Sequence, residues 1–442
     1  MKKHVTILLA LSALAVLSLL PASLSAQETI RRALGESATF SMARSDMFYT
    51  HWVVYYENAD CSVFGLMDTS GVNNLFVKTQ QHIHAKDMRV VGGKLYFCGN
   101  MFDYTTMEDV GVMGYFDISQ ISNPSSMTIN YIPFRDFQVL KKLDYYKSNS
   151  TLHVPMVGTG QDGRDYLVDA YYDNSPGLPY SGAWLTAWAY IPNIDAVFDD
   201  IASVDTNVVI SARVENETEV QICFVAHPTI PFVPFFETSD IDMVKVPDDP
   251  FGEVLLQPTK NDTFYVVYRY DPYLDVCRFK GKSNYSSKHI PVLSTTGYFP
   301  ESFTLRDVCV DQTSFEISAL ITKTYYGTPE LRIYHIPASL FPGGLSVSAH
   351  QYLYSMYHVP LSLCGGINSE TVSMGRYLGD LSLGRVKNPQ VGSCSGMMAE
   401  KVGIKDEAYK PVPKYLGRVY SGAALLEMPV TEIEREVIVE CK

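Results

Sequence analysis

The sequence predicts an all-β molecule whose strands repeat around one ring. Three observations carry that expectation. The first is a period. Taking the first large apolar residue of each unit's second strand, the anchors fall at Leu95, Leu152, Val208, Phe264, Phe315 and Val372, spaced 57, 56, 56, 51 and 57 residues apart. A shorter copy begins near Trp52, 43 residues before Leu95. Self-similarity at a fixed period of this length marks units that bury their apolar faces against one another. The second observation is turn chemistry, which supports each hairpin independently of the period. The third is that no segment beyond the first 26 residues sustains a 3.6-residue apolar period, so long helices are not expected.

Each unit has the same plan: a short apolar strand, a tight polar turn, a second alternating strand, a variable stretch, and a third strand. The clearest copy runs Asp87 to Val91, turns at Gly92-Gly93-Lys94, continues as Leu95 to Cys98, and has its third strand at Val112 to Asp117. Gly-Gly supplies the positive φ angles that a tight hairpin needs. Around Leu152 the turn is Lys147 to Ser150, and the third strand is Tyr166 to Tyr172. Ile201 to Val204 leads through Asp205-Thr206-Asn207 into Val208 to Ile210, followed by Val220 to Val225. Val254 to Leu256 turns at Pro258 to Asp262 into Phe264 to Tyr268, and Val276 to Phe279 follows. Val308 to Val310 turns at Asp311 to Ser314 into Phe315 to Ala319, and Leu331 to Ile336 follows. After Val372, glycines at 375, 379, 384, 392 and 396 make the last copy irregular. Ala38 to Met42, and Arg418 to Leu426 or Glu436 to Glu440, are strand-like. One completing the other's sheet would close the ring and remove exposed edges. The competing architecture is a tandem pair of β-sandwiches, which would show shorter, less regular spacing and a linker.

This period and hairpin plan resembles that of the β-propeller repeat proteins, over roughly residues 50 to 390. The resemblance implies a seven-bladed β-propeller with blades of about 55 residues. It implies a single domain over 27 to 442, with 387 to 442 as an irregular last blade or closure segment. No subfamily signature accompanies it. The Trp-Asp ending of WD repeats, the Gly-Gly-plus-Trp pattern of kelch repeats and the Asp-box of sialidases are all missing. The functions of those families therefore pass to no residue here.

Residues 1 to 26 read as a secretory signal. Lys2 and Lys3 form the positive start, Val5 to Leu20 is mostly apolar, and Pro21 to Ala26 supplies a small-residue cleavage region. The competing reading, a retained membrane anchor, suffers from the shortness of the apolar run. The expected location is outside the bacterial cytoplasm: periplasm, outer surface or medium. The chain is 46% apolar and 19% charged, which suits a large folded core. Its net charge of −13, without a basic cluster, argues against nucleic acid and anionic lipid as partners. No transmembrane span is expected after signal removal, and no cofactor. Of eight cysteines, Cys98, Cys223, Cys277 and Cys309 sit in strand-like runs and read as buried fillers. Cys364 and Cys394, in Gly/Ser-rich loops, are the best candidates for a disulfide.

Several units begin with an acid just before the first strand. Asp87, Asp200 and Asp307 lie eight residues before their anchors, and Glu253 lies eleven before. Asp136 precedes Leu152 less regularly. Facing a central channel, such carboxylates would gather to hold a cation or basic ligand, with crowding raising some pKa values. The alternative is that each caps backbone amides at the start of its strand. His82 and His84, two apart on a strand, point the same way and form metal-competent geometry. A third ligand, His51 or His153, would have to come from elsewhere. Gly392-Ser393-Cys394-Ser395-Gly396 imitates a nucleophile elbow, but no α/β context supports it. Gly158 to Asp165 reads as a hairpin loop rather than a calcium loop. Tyrosines at 171, 172, 180, 325, 326, 352, 354 and 357 would suit protein or carbohydrate binding if exposed. The leading functional expectation is a binding or scaffold protein for a protein or glycan partner. The alternatives are a propeller glycoside hydrolase or lyase with carboxylates in the central pocket, and a structural component of the cell envelope.

Overall fold

The computed structural model describes residues 30–37, 40–45, 51–57, 61–68, 74–148, 151–173, 182–190, 196–214, 220–228, 233–236, 241–246, 252–259, 263–281, 284–292, 302–311, 314–325, 328–336, 346–352, 359–365, 370–377, 380–387, 397–398, 400–401, 410–411, 417–422, 425–433 and 438–441. Among them the chain is β-structure and turns, with two short 3-10 helices at Ile118–Ser122 and Pro124–Ser126. The secretory signal, the Gly392–Gly396 elbow and the Cys394 half of the expected disulfide lie outside the described residues.

The strands form antiparallel four-stranded meanders. Meander 1 comprises Phe40–Ser45, His51–Glu57, Ser62–Asp68 and Asn74–Thr79. Meander 2 comprises Ile83–Val91, Lys94–Asp103, Glu108–Asp117 and Thr128–Phe134. Meander 3 comprises Phe137–Leu143, Thr151–Gly160, Asp165–Asp173 and Trp184–Tyr190. Meander 4 comprises Ala196–Val204, Asn207–Val214, Val220–Ala226 and Ile241–Lys245. Meander 5 comprises Leu255–Pro258, Thr263–Tyr270, Tyr273–Lys280 and Asn284–Pro291. Meander 6 comprises Ser302–Val310, Ile317–Tyr325, Thr328–Ile336 and Ser346–Tyr352. Meander 7 comprises Val359–Gly365, Glu370–Tyr377, Asp380–Lys387 and, as its fourth strand, Ile30–Ser37 from the start of the chain. Each first strand lies against the first strand of the next meander. Val359–Gly365 lies against Phe40–Ser45, so the circuit closes.

The core sits between successive sheets rather than inside any one of them. Tyr55 and Phe64 of meander 1 pack with Phe97 and Phe116 of meander 2, and Phe64 meets Phe97 at a ring separation of 5.2 Å. Val209 and Phe224 of meander 4 pack with Phe264 and Phe279 of meander 5. A sheet covered on both faces needs apolar residues on both faces. Thr151–Gly160 accordingly reads as a nearly unbroken buried run.

Local chemistry explains most turns. Gly92 and Gly93 take φ of 54° and 79°, as the Val91–Lys94 turn requires. The fifth anchor is corrected: Phe315 lies in a turn at φ 57°, and the strand begins at Ile317. The Phe315 amide donates to the Asp311 carbonyl at 2.8 Å, and Ser314 donates to the Asp311 carboxylate at 2.9 Å. That wraps the loop back on itself before pairing starts.

The ends meet differently from expectation. Ile30–Ser37 pairs with Asp380–Lys387, while Phe40–Ser45 opens meander 1. The segment beyond residue 396 runs along the outer edges in short antiparallel pairings. Met397–Met398 pairs with meander 6, Glu400–Lys401 with meander 5, Lys410–Pro411 with meander 4, and Gly417–Gly422 with meander 3. Leu426–Ile433 pairs with meander 2 through one half and meander 1 through the other, joining them in one nine-stranded sheet. Ile438–Cys441 pairs with Ile30–Ser37 of meander 7. Cys98, Cys223, Cys277 and Cys309 are buried, as are Cys61 and Cys364. Among the described residues, no helix is long and apolar enough to cross a membrane.

Candidate functional site

The position eight residues before each anchor lies on or just after the first strand, and it is the same place in the ladder for Asp87, Asp200 and Asp307. It carries Arg44, Asp87, Asp144, Asp200, Leu256, Asp307 and Cys364 in meanders 1 to 7. The strand ladder skips one residue immediately before Asp87, Asp200 and Asp307, a bulge that turns the carboxylate toward the neighbouring sheet. One oxygen accepts the next residue's amide: Met88 on Asp87 at 2.9 Å, Ile201 on Asp200 at 2.8 Å and Val308 on Asp307 at 2.9 Å. The other oxygen accepts an amide from the following meander: Leu143 on Asp87 at 3.2 Å, Leu256 on Asp200 at 2.8 Å and Leu363 on Asp307 at 2.7 Å. Each carboxylate therefore bridges two sheets.

Asp144 does the same and was missed by the sequence reading, which took Asp136 in its place. Its Oδ2 accepts the Ser203 amide of meander 4 at 2.6 Å. The signal was present, because Asp144 stands eight residues before Leu152 like its counterparts. Glu253 does not share this position. It is exposed, beside the buried Asp199, which takes Arg213 in a two-point ion pair and the Val254 amide at 3.2 Å.

Cations face this ring of acids. Arg44 and Arg89 reach the same Asp87 oxygen at 3.1 and 2.9 Å, and Arg89 lies 3.7 Å from Asp144. Burial pushes the Asp87 carboxyl up, but Arg89, Arg44 and Lys142 outweigh it and hold the group below its usual range. Asp144 and Asp200 are less fully compensated, and burial lifts both to about 6. The Lys142 ammonium is stabilised against burial by Asp200, Asp87, Asp307 and Glu253. Asp87, Asp200 and Asp307 thus share one electrostatic field with Arg44, Arg89 and Lys142.

A second cluster lies where the chain passes from meander 1 to meander 2. His82 precedes the strand Ile83–Val91, His84 is in it, and Glu57 ends the strand His51–Glu57. Glu57 Oε2 is 2.8 Å from His84 Nδ1 and 3.5 Å from His82 Nε2, and the two rings are 4.3 Å apart. The donor atoms of all three side chains lie within 4.8 Å of one another. The backbone here is held from two sides. Ser62 Oγ accepts the Ile83 amide at 2.8 Å, and the Tyr55 hydroxyl accepts the Ala85 amide at 3.1 Å while lying 3.0 Å from Glu57 Oε2. The third member is therefore Glu57, not His51 or His153. His51 begins the strand that Glu57 ends, and six residues of extended chain span about 20 Å. His153 is buried in meander 3 and pairs with Asp169 at 2.8 Å.

A third feature is the hairpin tip of meander 2, between Asp103 and Glu108. Tyr104 is 72%, Met107 68% and Phe102 37% exposed. Phe102 and Tyr104 pack edge to face at 5.2 Å. The turn is tied by the Met107 amide to the Asp103 carbonyl at 2.7 Å and flanked by an Arg135–Asp103 ion pair at 3.0 Å. Met107 adopts φ 61°. Ile83 pairs with Met101, so the tip leaves meander 2 at the end where His82 and His84 enter. Of the tyrosines singled out in the sequence, Tyr171 is buried in a ring stack with His153. Tyr180, Tyr326, Tyr354 and Tyr357 lie outside the described residues.

Closed meanders with their cores between sheets define the chain as a β-propeller repeat protein. Its fold is similar to the β-propeller domain of Cps50 (Swd1) from Myceliophteria thermophila, at a TM-score of 0.50 and 9% identity over 81% of this chain and 100% of that one. The β-propeller domain of the trilobed protease from Pyrococcus furiosus aligns at a TM-score of 0.40 and 9% identity, over 83% of this chain and 96% of that one. No protein-family profile matches the chain, and no curated protein matches it.

Proposed function

We propose that the protein is an exported, seven-bladed bacterial β-propeller that acts as a binding or scaffold protein and engages a protein partner through the Phe102–Met107 tip. The observation that carries this reading is the tip itself. Phe102, Tyr104 and Met107 account for half of the six exposed large apolar side chains among the described residues. Aromatic and Met side chains inside a charged surround are the composition favoured at protein interfaces. The edge-to-face ring pair offers a knob rather than the flat platform that suits a sugar ring. A Met at positive φ breaks a local backbone preference, and such exceptions cluster at functional positions. The blade count is supported by the closed succession of meanders, and export by the signal-like residues 1 to 26.

The test compares wild-type protein with a Tyr104→Ser/Met107→Ser variant in pull-downs from envelope extract. The reading expects a protein retained by wild type and weakened in the variant by about 30-fold, the equivalent of one interface hot spot of about 2 kcal/mol. The variant's unfolding midpoint should match wild type, since both side chains are exposed. Equal retention by the two proteins, or retention of nothing, sinks the proposal. A glycan-array signal that disappears in the variant would reassign the partner to carbohydrate.

A further inference from the structure

We propose that Glu57, His82 and His84 form a binding site for a divalent transition ion of the zinc class. The donor set is two imidazole nitrogens and one carboxylate oxygen, a combination suited to that class. The spacing fits as well. Bonds of about 2.0 to 2.1 Å in a tetrahedron place neighbouring donors about 3.3 Å apart. The Glu57–His84 and Glu57–His82 donor separations, 2.8 and 3.5 Å, bracket that value.

The site is also pre-formed. Ser62 and Tyr55 fix the backbone on both sides of His84, and Tyr55 additionally lies against Glu57. Rigid outer contacts of this kind hold ligands in place before the ion arrives. Two other carboxylate–imidazole pairs behave differently. His153–Asp169 and His289–Asp275 each bring one imidazole to one carboxylate, at 2.8 and 2.6 Å, with the carboxylate fully buried. Among the described residues, the convergence of two imidazoles on one carboxylate occurs at Glu57. The His82 and His84 side chains are 28% and 38% exposed, so an ion can enter from solvent. Three protein donors leave one tetrahedral position for water or an outside ligand. Because Glu57 belongs to meander 1 and the histidines lead into meander 2, a bound ion would also clamp that junction.

The test is titration of chelator-stripped protein with zinc chloride by calorimetry. The expected result is one ion per chain, a raised unfolding midpoint, and ligand-field bands of four-coordinate cobalt when cobalt(II) replaces zinc. His82→Ala and His84→Ala should each weaken zinc binding by about tenfold or more, and the double variant should abolish the cobalt bands. In chelator both single variants should still unfold cooperatively, with midpoints within roughly 5 °C of wild type as expected for loss of one Glu57 contact, which separates lost ligation from lost folding. If the double variant does not fold, His84→Gln decides the matter alone. Absence of one-to-one binding in wild type, or unchanged affinity in the variants, overturns the site.

Discussion

Asp144 and Asp200 show what a single buried carboxylate does for this ring. Both accept amides from their own strand and from the next sheet, yet burial raises both to about 6. An aspartate in the unfolded chain titrates near 3.9. Between pH about 4 and 6 the folded protein therefore holds protons that the unfolded chain has released. Stability should rise as pH falls through that window, on the order of 1 to 3 kcal/mol per carboxylate. Asp87 has the opposite sign, and its contribution is lost only at more acid pH. Urea unfolding at pH 7.5 and pH 5 should show the rise in wild type and a smaller one in Asp200→Asn. An equal rise in both proteins would exclude Asp200 as its source. At this scale the sequence was partly legible. The spacing of eight marked Asp87, Asp200 and Asp307, and would have marked Asp144 had it been applied uniformly. Glu57 was not legible as the neighbour of His82, because 25 residues separate them and only sheet-against-sheet packing brings them together.

The hairpin 94–117 combines a legible and an illegible part. The turn at Gly92-Gly93 that leads into it follows from local chemistry, whereas its own tip offers Tyr-Thr-Thr-Met where a turn would favour Gly or Asn. Met107 at φ 61° carries a cost that Gly would not. Met107→Gly should raise the unfolding free energy by up to about 1 kcal/mol while weakening partner capture. Loss of stability instead would mean that the side chain has a structural role. The same contrast explains Phe315. Its size and position imitate a strand start, but the Asp311 carbonyl and carboxylate capture the loop backbone first. The pairings at Met397–Met398, Glu400–Lys401 and Lys410–Pro411 had no signal at all. Two-residue strands have no alternation to read and take their register from the edge they join.

The last 46 residues change how the whole molecule presents itself. Without them, all seven meanders would end on open fourth strands, and such edges recruit other chains. Deletion of 397–442 should lower the thermal midpoint and shift the protein toward aggregates in size-exclusion chromatography. A monomeric variant of unchanged midpoint would show that these pairings add little. The segment meets the meanders in the order 6, 5, 4, 3, 2, 1 and finally 7, against the direction in which they are synthesised. Its full set of pairings needs the outer strand of every sheet. A ring with one sheet misplaced would leave part of this segment unpaired, and limited proteolysis of such a variant should cut there first.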